Sequence, residues 1–339
     1  MKKVHVSEAV GEVLAHDITE IKPGVKKGPA FKKGDIIEED DIPHLLDLGK
    51  QHIYIVENGE DKLHENEGAK RLADLAQGEG LRRSRPGEGK INLTAARRGL
   101  LKVDKERLKM LNLHPDLIMA TRHNNTPVSE GERVAGTRVI PLLIEEEKLE
   151  RAEKEVGNEP LLSVKPYDKM EAAVITTGSE VYEGRIEDEF TDVIVDKIED
   201  IGGEVIFTVL KPDDREQISE AIDEALSRGA DLVVCTGGMS VDPDDVTEDA
   251  IFARADEVVT YGAPVLPGAM FMLAYVRDVP LVGLPACAMF SETTSFDLIL
   301  PRLAAGERIS AEEIAAAGHG GLCLDCEICR YPDCSFGRC

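Results

Sequence analysis

Residues Asp231 to Thr247 read D-L-V-V-C-T-G-G-M-S-V-D-P-D-D-V-T, and the fold follows from how that stretch divides. Asp231 to Cys235 is a β-branched apolar run of the length that fills a buried parallel strand. Gly237 and Gly238 come directly after it, and paired glycines let the backbone turn sharply and bring N–H groups close to a ligand. Asp242, Asp244 and Asp245 follow, and Thr247 stands where it would cap a helix starting near Glu248. Strand, glycine turn, carboxylates and helix N-terminus together suit an anionic ligand with a divalent cation. T-G-G by itself fits a plain βα turn with solvated acids equally well.

Strand and helix patterns alternate regularly around this stretch from Met170 onward. Ala172 to Thr176 is an apolar run that ends in Thr177-Gly178-Ser179-Glu180. Phe190, Ile194, Ile198 and Ile201 share one helical face. Glu204 to Leu210 is the next strand, and Asp213 is read as the cap of a helix that buries Ile218, Ala221, Ile222, Ala225 and Leu226. Glu257 to Thr260 and Pro280 to Leu284 are further strands. Phe296, Ile299, Leu300 and Leu303 mark a last helix, which Pro301 should kink or interrupt. The expected fold class is α/β, with a three-layer αβα domain over residues 166–310 built on a mostly parallel sheet. Ligands of such sheets bind at the carboxyl ends of the strands, where the turns at Gly178 and Gly237 both fall.

Residues 1–165 read as an irregular, β-rich α+β region of one or two small subdomains. Asp40-Asp41-Ile-Pro-His-Leu-Leu suggests a short helix with an acidic first turn, followed by a strand at His52 to Val56. An Ala/Leu helix is expected near Ala69 to Ala76 and a highly charged one over Glu145 to Val156, with Gly157 to Pro166 as a linker. Arg82, Arg83, Arg85, Lys90, Arg97 and Arg98 form the dense basic cluster of the chain. The plain reading is an exposed loop, and the alternatives are an anion site or a dock for the acidic half.

At 339 residues the chain can hold two or three domains, and with no Trp its cores must be aliphatic. No apolar run approaches the ~18 residues of a membrane span, so no membrane contact and a cytoplasmic location are expected. The net charge is -25, with 25 basic and 27 acidic side chains in residues 1–150 against 15 and 38 in residues 151–339. That imbalance argues against nucleic acid as a partner of the second half. An anionic small molecule could still bind there through backbone N–H groups and a metal ion.

Four further motifs, in order, carry a resemblance: T-T-G-S-E-V with G-R-I-E-D downstream, T-G-G-M-S-V-D-P-D-D-V-T, Y-G-A-P-V-L-P-G-A-M and G-L-P-A-C-A-M. Residues 170–308 resemble the molybdopterin-binding domain shared by molybdopterin molybdenumtransferases, molybdopterin adenylyltransferases and part of gephyrin. In residues 1–165 the likeness to the transferases is loose, mainly V-G-E-V-L-A-H-D-I-T. The resemblance implies that Gly237, Gly238 and Ser240 hold the pterin's terminal phosphate, with Asp245 and Thr247 as the acid and hydroxyl after the glycines. It implies that Thr177, Gly178 and Ser179 form the first turn, with Glu180 as its acid and Asp188 as the acid opening the next helix. Gly262, Pro267 and Gly268 would shape the far wall of the pocket, with Leu284 and Pro285 beside it.

This chain departs from the transferases at two turns. Gly178-Ser179-Glu180 stands where they carry Gly-Asp-Glu, and Gly283-Leu-Pro-Ala-Cys-Ala where they carry Gly-Leu-Pro-Gly-Asn-Pro. One carboxylate fewer weakens molybdate insertion and leaves pterin binding intact. The implied function is binding of molybdopterin or its adenylylated form in molybdenum-cofactor assembly, with insertion of molybdate as the enzymatic reading. The alternatives are a non-catalytic cofactor carrier or a redox- or metal-responsive sensor, and a molybdopterin adenylyltransferase. Phosphoanhydride chemistry or oxo exchange at molybdenum needs charge neutralised at crowded oxygens, so Mg2+ on Asp242, Asp244, Asp245 and Glu180 is expected. Of the two cysteines in this domain, Cys235 reads as core, and Cys287 follows a site turn. Expected partners are the pterin phosphate, molybdate, a second copy in a homodimer, and a molybdoenzyme or cofactor-assembly protein.

Residues 311–339 are an addition to that domain. Cys323, Cys326, Cys329, Cys334 and Cys339 fall within the last 17 positions, and C-x2-C-x2-C is the spacing of ligands closing around one metal centre. Cys323, Cys326, Cys329 and either Cys334 or Cys339 would supply four thiolates, which suit an iron–sulfur cluster or Zn2+. The contiguous run leans towards the cluster, although its last gap to Cys334 holds four residues where a ferredoxin run has three, and Pro332 lies before Cys334 instead of after it. A disulfide knot is the alternative, which a cytoplasmic setting disfavours.

Overall fold

The computed structural model describes residues 1–22, 26–56, 62–240 and 242–338, which leaves Cys339 outside the described residues. Its organising element is the strand Leu232–Thr236, in which every residue is buried. Successive side chains of a strand point to opposite faces. Leu232 and Val234 accordingly enter one apolar cluster while Val233 and Cys235 enter the other. Its neighbour Glu171–Thr177 divides the same way, with Ala172 and Val174 on the first face and Ala173 and Ile175 on the second. A strand buried on both faces is the signature of a parallel sheet covered by helices.

The six-stranded sheet runs in the order Glu204–Lys211, Glu171–Thr177, Leu232–Thr236, Val279–Leu284, Met272–Val276, Glu257–Tyr261. The first four strands are parallel and the last two antiparallel, so the sheet is mostly parallel as expected. Helices Phe190–Asp200 and Ser295–Ala304 bury Ile194, Ile198, Phe296 and Leu300 on one face. Helix Arg215–Ser227 and helix Thr247–Arg254 bury Ile218, Ile222, Ala250 and Ile251 on the other. The strand Met272–Val276 is an addition to the sequence reading. It joins Val279–Leu284 through a turn at Arg277, which has φ +57° and whose N–H is held by the Asp256 carboxylate at 2.6 Å.

Four local expectations are corrected. Asp213 does not cap the Arg215–Ser227 helix: Asp214 does, its carboxylate accepting from the N–H of Gln217 at 2.9 Å. Thr247 is the first residue of its helix rather than the cap. Pro301 lies inside Ser295–Ala304 without ending it. A proline there removes the donor to the carbonyl of Asp297, and the hydroxyl of Tyr331 supplies a replacement at 3.0 Å. The segment read as a linker contains the strand Leu162–Lys165, which pairs antiparallel with Gly99–Val103 and buries Leu162 and Val164.

The first 165 residues form small antiparallel sheets with short helices, including Asp41–Asp47, Glu65–Ala76 and Glu146–Val156. One apolar cluster gathers residues between Val4 and Ile55, another residues between Ala69 and Val164. The basic segment is not a loop throughout. Leu81–Arg83 and Lys90–Ala95 are paired strands, and Arg82, Arg83 and Arg97 bond to Glu130, Asp74 and Glu79 of the same chain.

Candidate functional site

At the carboxyl ends of the parallel strands lies a cavity of about 680 Å³. Two glycine turns make its floor. Gly237 has φ +89° and Gly238 φ +53°, a region that favours glycine. A Cβ on Gly237 would stand 2.2 Å from the carbonyl oxygen of Thr177, so this turn passes directly against the first strand's end. A Cβ on Gly238 would stand 2.7 Å from the Thr247 hydroxyl. That hydroxyl is buried and hydrogen-bonded to the hydroxyl of Thr177 at 2.8 Å, and Thr177 also donates to the carbonyl of Thr236 at 3.1 Å. The two turns are thereby locked to each other under the cavity.

The acids are arranged on these turns. Asp245 accepts from the Ser240 N–H at 2.7 Å, and Asp213 accepts from the Ser179 N–H at 2.8 Å. Glu180, Asp242 and Asp244 complete a lining that, among the described residues, holds five carboxylates and no Lys or Arg. The concentration of negative charge extends past the rim. Burial pushes the Glu248 carboxyl up, with Asp249 and Asp245 adding repulsion, and one Glu248 oxygen is buried without a hydrogen-bond partner among the described residues. Burial, then Glu248, Asp245 and Asp249, push the Tyr261 phenol up as well, and its hydroxyl donates to the carbonyl of Met239 at 3.3 Å.

The structure brings Thr177, Gly178, Ser179, Glu180, Gly237, Gly238, Ser240, Asp245 and Pro285 together on this one cavity. Thr247 lies beneath the floor, and Leu284 is buried in the core just before Pro285. Asp188 stands off the cavity: its carboxylate accepts from the N–H groups of Phe190 and Thr191 and so holds the start of the Phe190–Asp200 helix. Gly262, Pro267 and Gly268 also stand off it. Gly262 donates to Phe271, and Gly268 is packed against Ser295, whose hydroxyl donates to the Gly268 carbonyl at 3.0 Å. Asp213, Met239, Phe190 and Met289 line the cavity without having been read as site residues from the sequence. For Asp213 the signal was present, because a second acid follows it and leaves only one of the pair free for the helix.

Cys235 is fully buried with its thiol pushed up to about 12, a core residue. Cys287 begins the short helix Cys287–Phe290 and does not line the cavity. Burial pushes its thiol up, against the backbone N–H groups of Gly268 and Cys287 itself. The tail cysteines Cys323, Cys326, Cys329 and Cys334 are free thiols around a second cavity. Among the described residues, no three His, Cys, Asp or Glu side chains converge as the ligands of a single ion do.

An α/β domain with paired glycine turns at the carboxyl edge of its sheet is the class these features define. Residues 173–305 match the family described as "Probable molybdopterin binding domain", and residues 3–57 match a "Domain of unknown function (DUF8806)". The likeness to that domain family is confined to the α/β part of this chain. Molybdopterin adenylyltransferase of Pyrococcus furiosus is 32% identical over 89 residues, which are 26% of this chain and 52% of that protein. A CinA-like protein of Citrifermentans bemidjiense is 38% identical over 86 residues, 25% of this chain and 20% of that one. Among solved structures, the tungsten cofactor synthesizing protein MoaB from Pyrococcus furiosus aligns with 40% of this chain and 92% of its own, at 21% identity and a TM-score of 0.34. The molybdopterin biosynthesis Mog protein from Mycobacterium ulcerans covers 43% and 99%, at 19% identity and a TM-score of 0.36. The chain spans between a fifth and about half of the length of these curated relatives. No helix among the described residues is long and apolar enough to cross a membrane.

Proposed function

We propose that the 680 Å³ cavity binds molybdopterin or its adenylylated form, with the phosphate end over the Gly237–Ser240 turn, in molybdenum-cofactor biosynthesis. The observation that carries this reading is the lining itself: two glycine turns, five carboxylates and, among the described residues, no basic side chain, within the segment that matches the molybdopterin-binding family. A phosphate facing carboxylates needs a cation between them, so Mg2+ enters with the ligand, held by Asp245 and a neighbouring acid. When bound, Mg2+ supplies charge neutralisation at phosphate oxygens. The protein's own part is to hold Asp245 against the Ser240 N–H and Asp213 against the Ser179 N–H, which fixes both carboxylates before the ligand arrives.

Insertion of molybdate is the enzymatic form of this reading, supported by retained Glu180 and Asp245. Ser179, where the transferases carry an acid, favours a carrier or sensor, and the adenylyltransferase relative favours transfer of an adenylyl group. Incubation with adenylylated molybdopterin, Mg2+ and molybdate separates them. AMP release that needs molybdate supports insertion. Tight binding without turnover supports the carrier, and formation of adenylylated molybdopterin from molybdopterin and ATP supports the adenylyltransferase. Binding is expected to weaken at least about tenfold when Mg2+ is chelated, since each tenfold step is ~1.4 kcal/mol and the lining offers no alternative cation. Absence of binding with Mg2+ present removes the reading. Self-association into a homodimer belongs to the same proposal, and a monomer mass by light scattering at low salt removes that part.

A further inference from the structure

The pterin reading leaves the C-terminal segment unused. Residues 320–338 form turns and bends with no helix or strand among the described residues, held by a small set of contacts: Gly321 and Cys323 pair with Leu266, Tyr331 bonds to Asp297, Arg122 pairs with Asp333, and Phe336 is buried against Tyr331. Segments this short with so small a core are ordinarily fixed by disulfides or a metal. Here the cysteines are unpaired thiols. Cys323, Cys326, Cys329 and Cys334 instead line a single cavity of about 270 Å³, together with Phe290. The Thr293 hydroxyl lies 3.1 Å from the Cys329 sulfur, a hydrogen bond of the kind that tunes a thiolate ligand.

We propose that this cavity is the site of a four-iron, four-sulfide cluster held by Cys323, Cys326, Cys329 and Cys334. A lone zinc ion draws four thiolates to ~2.3 Å of one point and leaves no space among them. A cubane cluster takes each thiolate on a separate iron, so its ligands face a common volume and not one point, in keeping with four cysteines that line one cavity while no three of them converge on a single ion position. The run C-x2-C-x2-C matches the first three ligands of a contiguous cluster run more closely than the paired C-x2-C of zinc sites, while the fourth ligand, Cys334, is assigned by its place on the same cavity and not by spacing, since its gap holds four residues. The site adjoins the pterin cavity through the helix Cys287–Phe290: Met289 lines one cavity and the next residue, Phe290, lines the other.

The test is to purify the full chain anaerobically and measure iron, acid-labile sulfide and zinc, with the visible spectrum recorded. About four iron and four sulfide per chain and a brown colour are expected. Cys326 is exposed, so its loss opens no core. In a Cys339→Ala background, where the terminal thiol cannot substitute, Cys326→Ala is expected to lose most of the iron and sulfide, while Cys287→Ala retains both. Circular dichroism checks that the α/β fold survives in each. One zinc per chain without sulfide overturns the cluster. So does a protein that takes up no iron on reconstitution with ferrous iron and sulfide and whose tail thiols alkylate freely. Full iron and sulfide in the Cys326→Ala variant overturns the ligand set.

Discussion

Replacing Glu307 by alanine is expected to destabilise the protein by about 3 kcal/mol at neutral pH, the lower end of what removing one partner of a buried ion pair costs. The Glu307 side chain is 10% exposed and Arg302, which donates to it at 2.9 Å, is 9% exposed. Lys102 reaches the same carboxylate at 2.6 Å and Lys165 approaches to 3.6 Å. Those lysines come from the Gly99–Val103 and Leu162–Lys165 strands of the first half, so one carboxylate ties that sheet to the α/β domain. The lower end applies because Arg302 keeps Glu313, and Lys102 keeps the Asn125 side chain at 2.6 Å. A fall in the thermal midpoint of about 6–12 °C follows, at ~2–4 °C per kcal/mol for domains of this size. Equal midpoints for the variant and the wild type would show that the network contributes nothing net.

The pH dependence of that difference has a definite sign. Burial pushes the Glu307 carboxyl up, but the hydrogen bonds from Lys102 and Arg302 outweigh burial and hold its pKa below the ordinary value. A carboxylate with a depressed folded pKa contributes stability that is present above its unfolded pKa, about 4.3, and lost as pH falls through the folded value. The gap between wild type and Glu307→Ala is therefore expected to be full at neutral pH and to narrow below about pH 4.

None of this network was legible in the sequence, because Lys102 and Glu307 are brought together only by the packing of two regions. The sheet, by contrast, was legible where strands are buried on both faces. Leu232–Thr236 and Glu171–Thr177 are uninterrupted apolar runs ended by glycine, a pattern with few other solutions. Met272–Val276 was missed because the chain reversal that ends it, at Arg277-Asp278, carries no glycine or proline to mark the turn. Leu162–Lys165 was hidden between Pro160 and Pro166, whose presence reads as a linker although the residues between them alternate inward and outward.

The candidate site divides in the same way. Residues next to the strand-ending glycines could be read from the chain, since the turn chemistry fixes where their backbone must go. Gly262, Pro267 and Gly268 could not be assigned from it, because which wall they join depends on how the Ser295–Ala304 helix packs over them. Asp213 was taken for a helix cap, one residue short of the acid that does that work. A shift of one position moved it from structure to site.

The Gly238→Ala variant carries the last prediction. Its expected result is loss of molybdopterin binding by at least ~100-fold, equivalent to about 2.7 kcal/mol. Gly238 has φ +53°, and an added Cβ would stand 2.7 Å from the Thr247 hydroxyl and 3.4 Å from both the Asp213 carboxylate and the Thr177 hydroxyl. The methyl would thus intrude among the three side chains that fix the floor and one wall of the cavity, and would force the turn away from the approach of a phosphate. Conformational strain alone would also lower stability, by roughly 1–2 kcal/mol for a non-glycine residue in this region. Gly184→Ala separates the two effects. Gly184 has φ +70° with nothing within 4 Å of an added Cβ, and it lies off the cavity. It is expected to show a comparable drop in thermal midpoint with binding unchanged. Binding measured by pterin fluorescence for both variants decides the matter. Equal affinity in Gly238→Ala and wild type would move the phosphate away from this turn, and equal losses in both variants would assign the effect to folding rather than to the site.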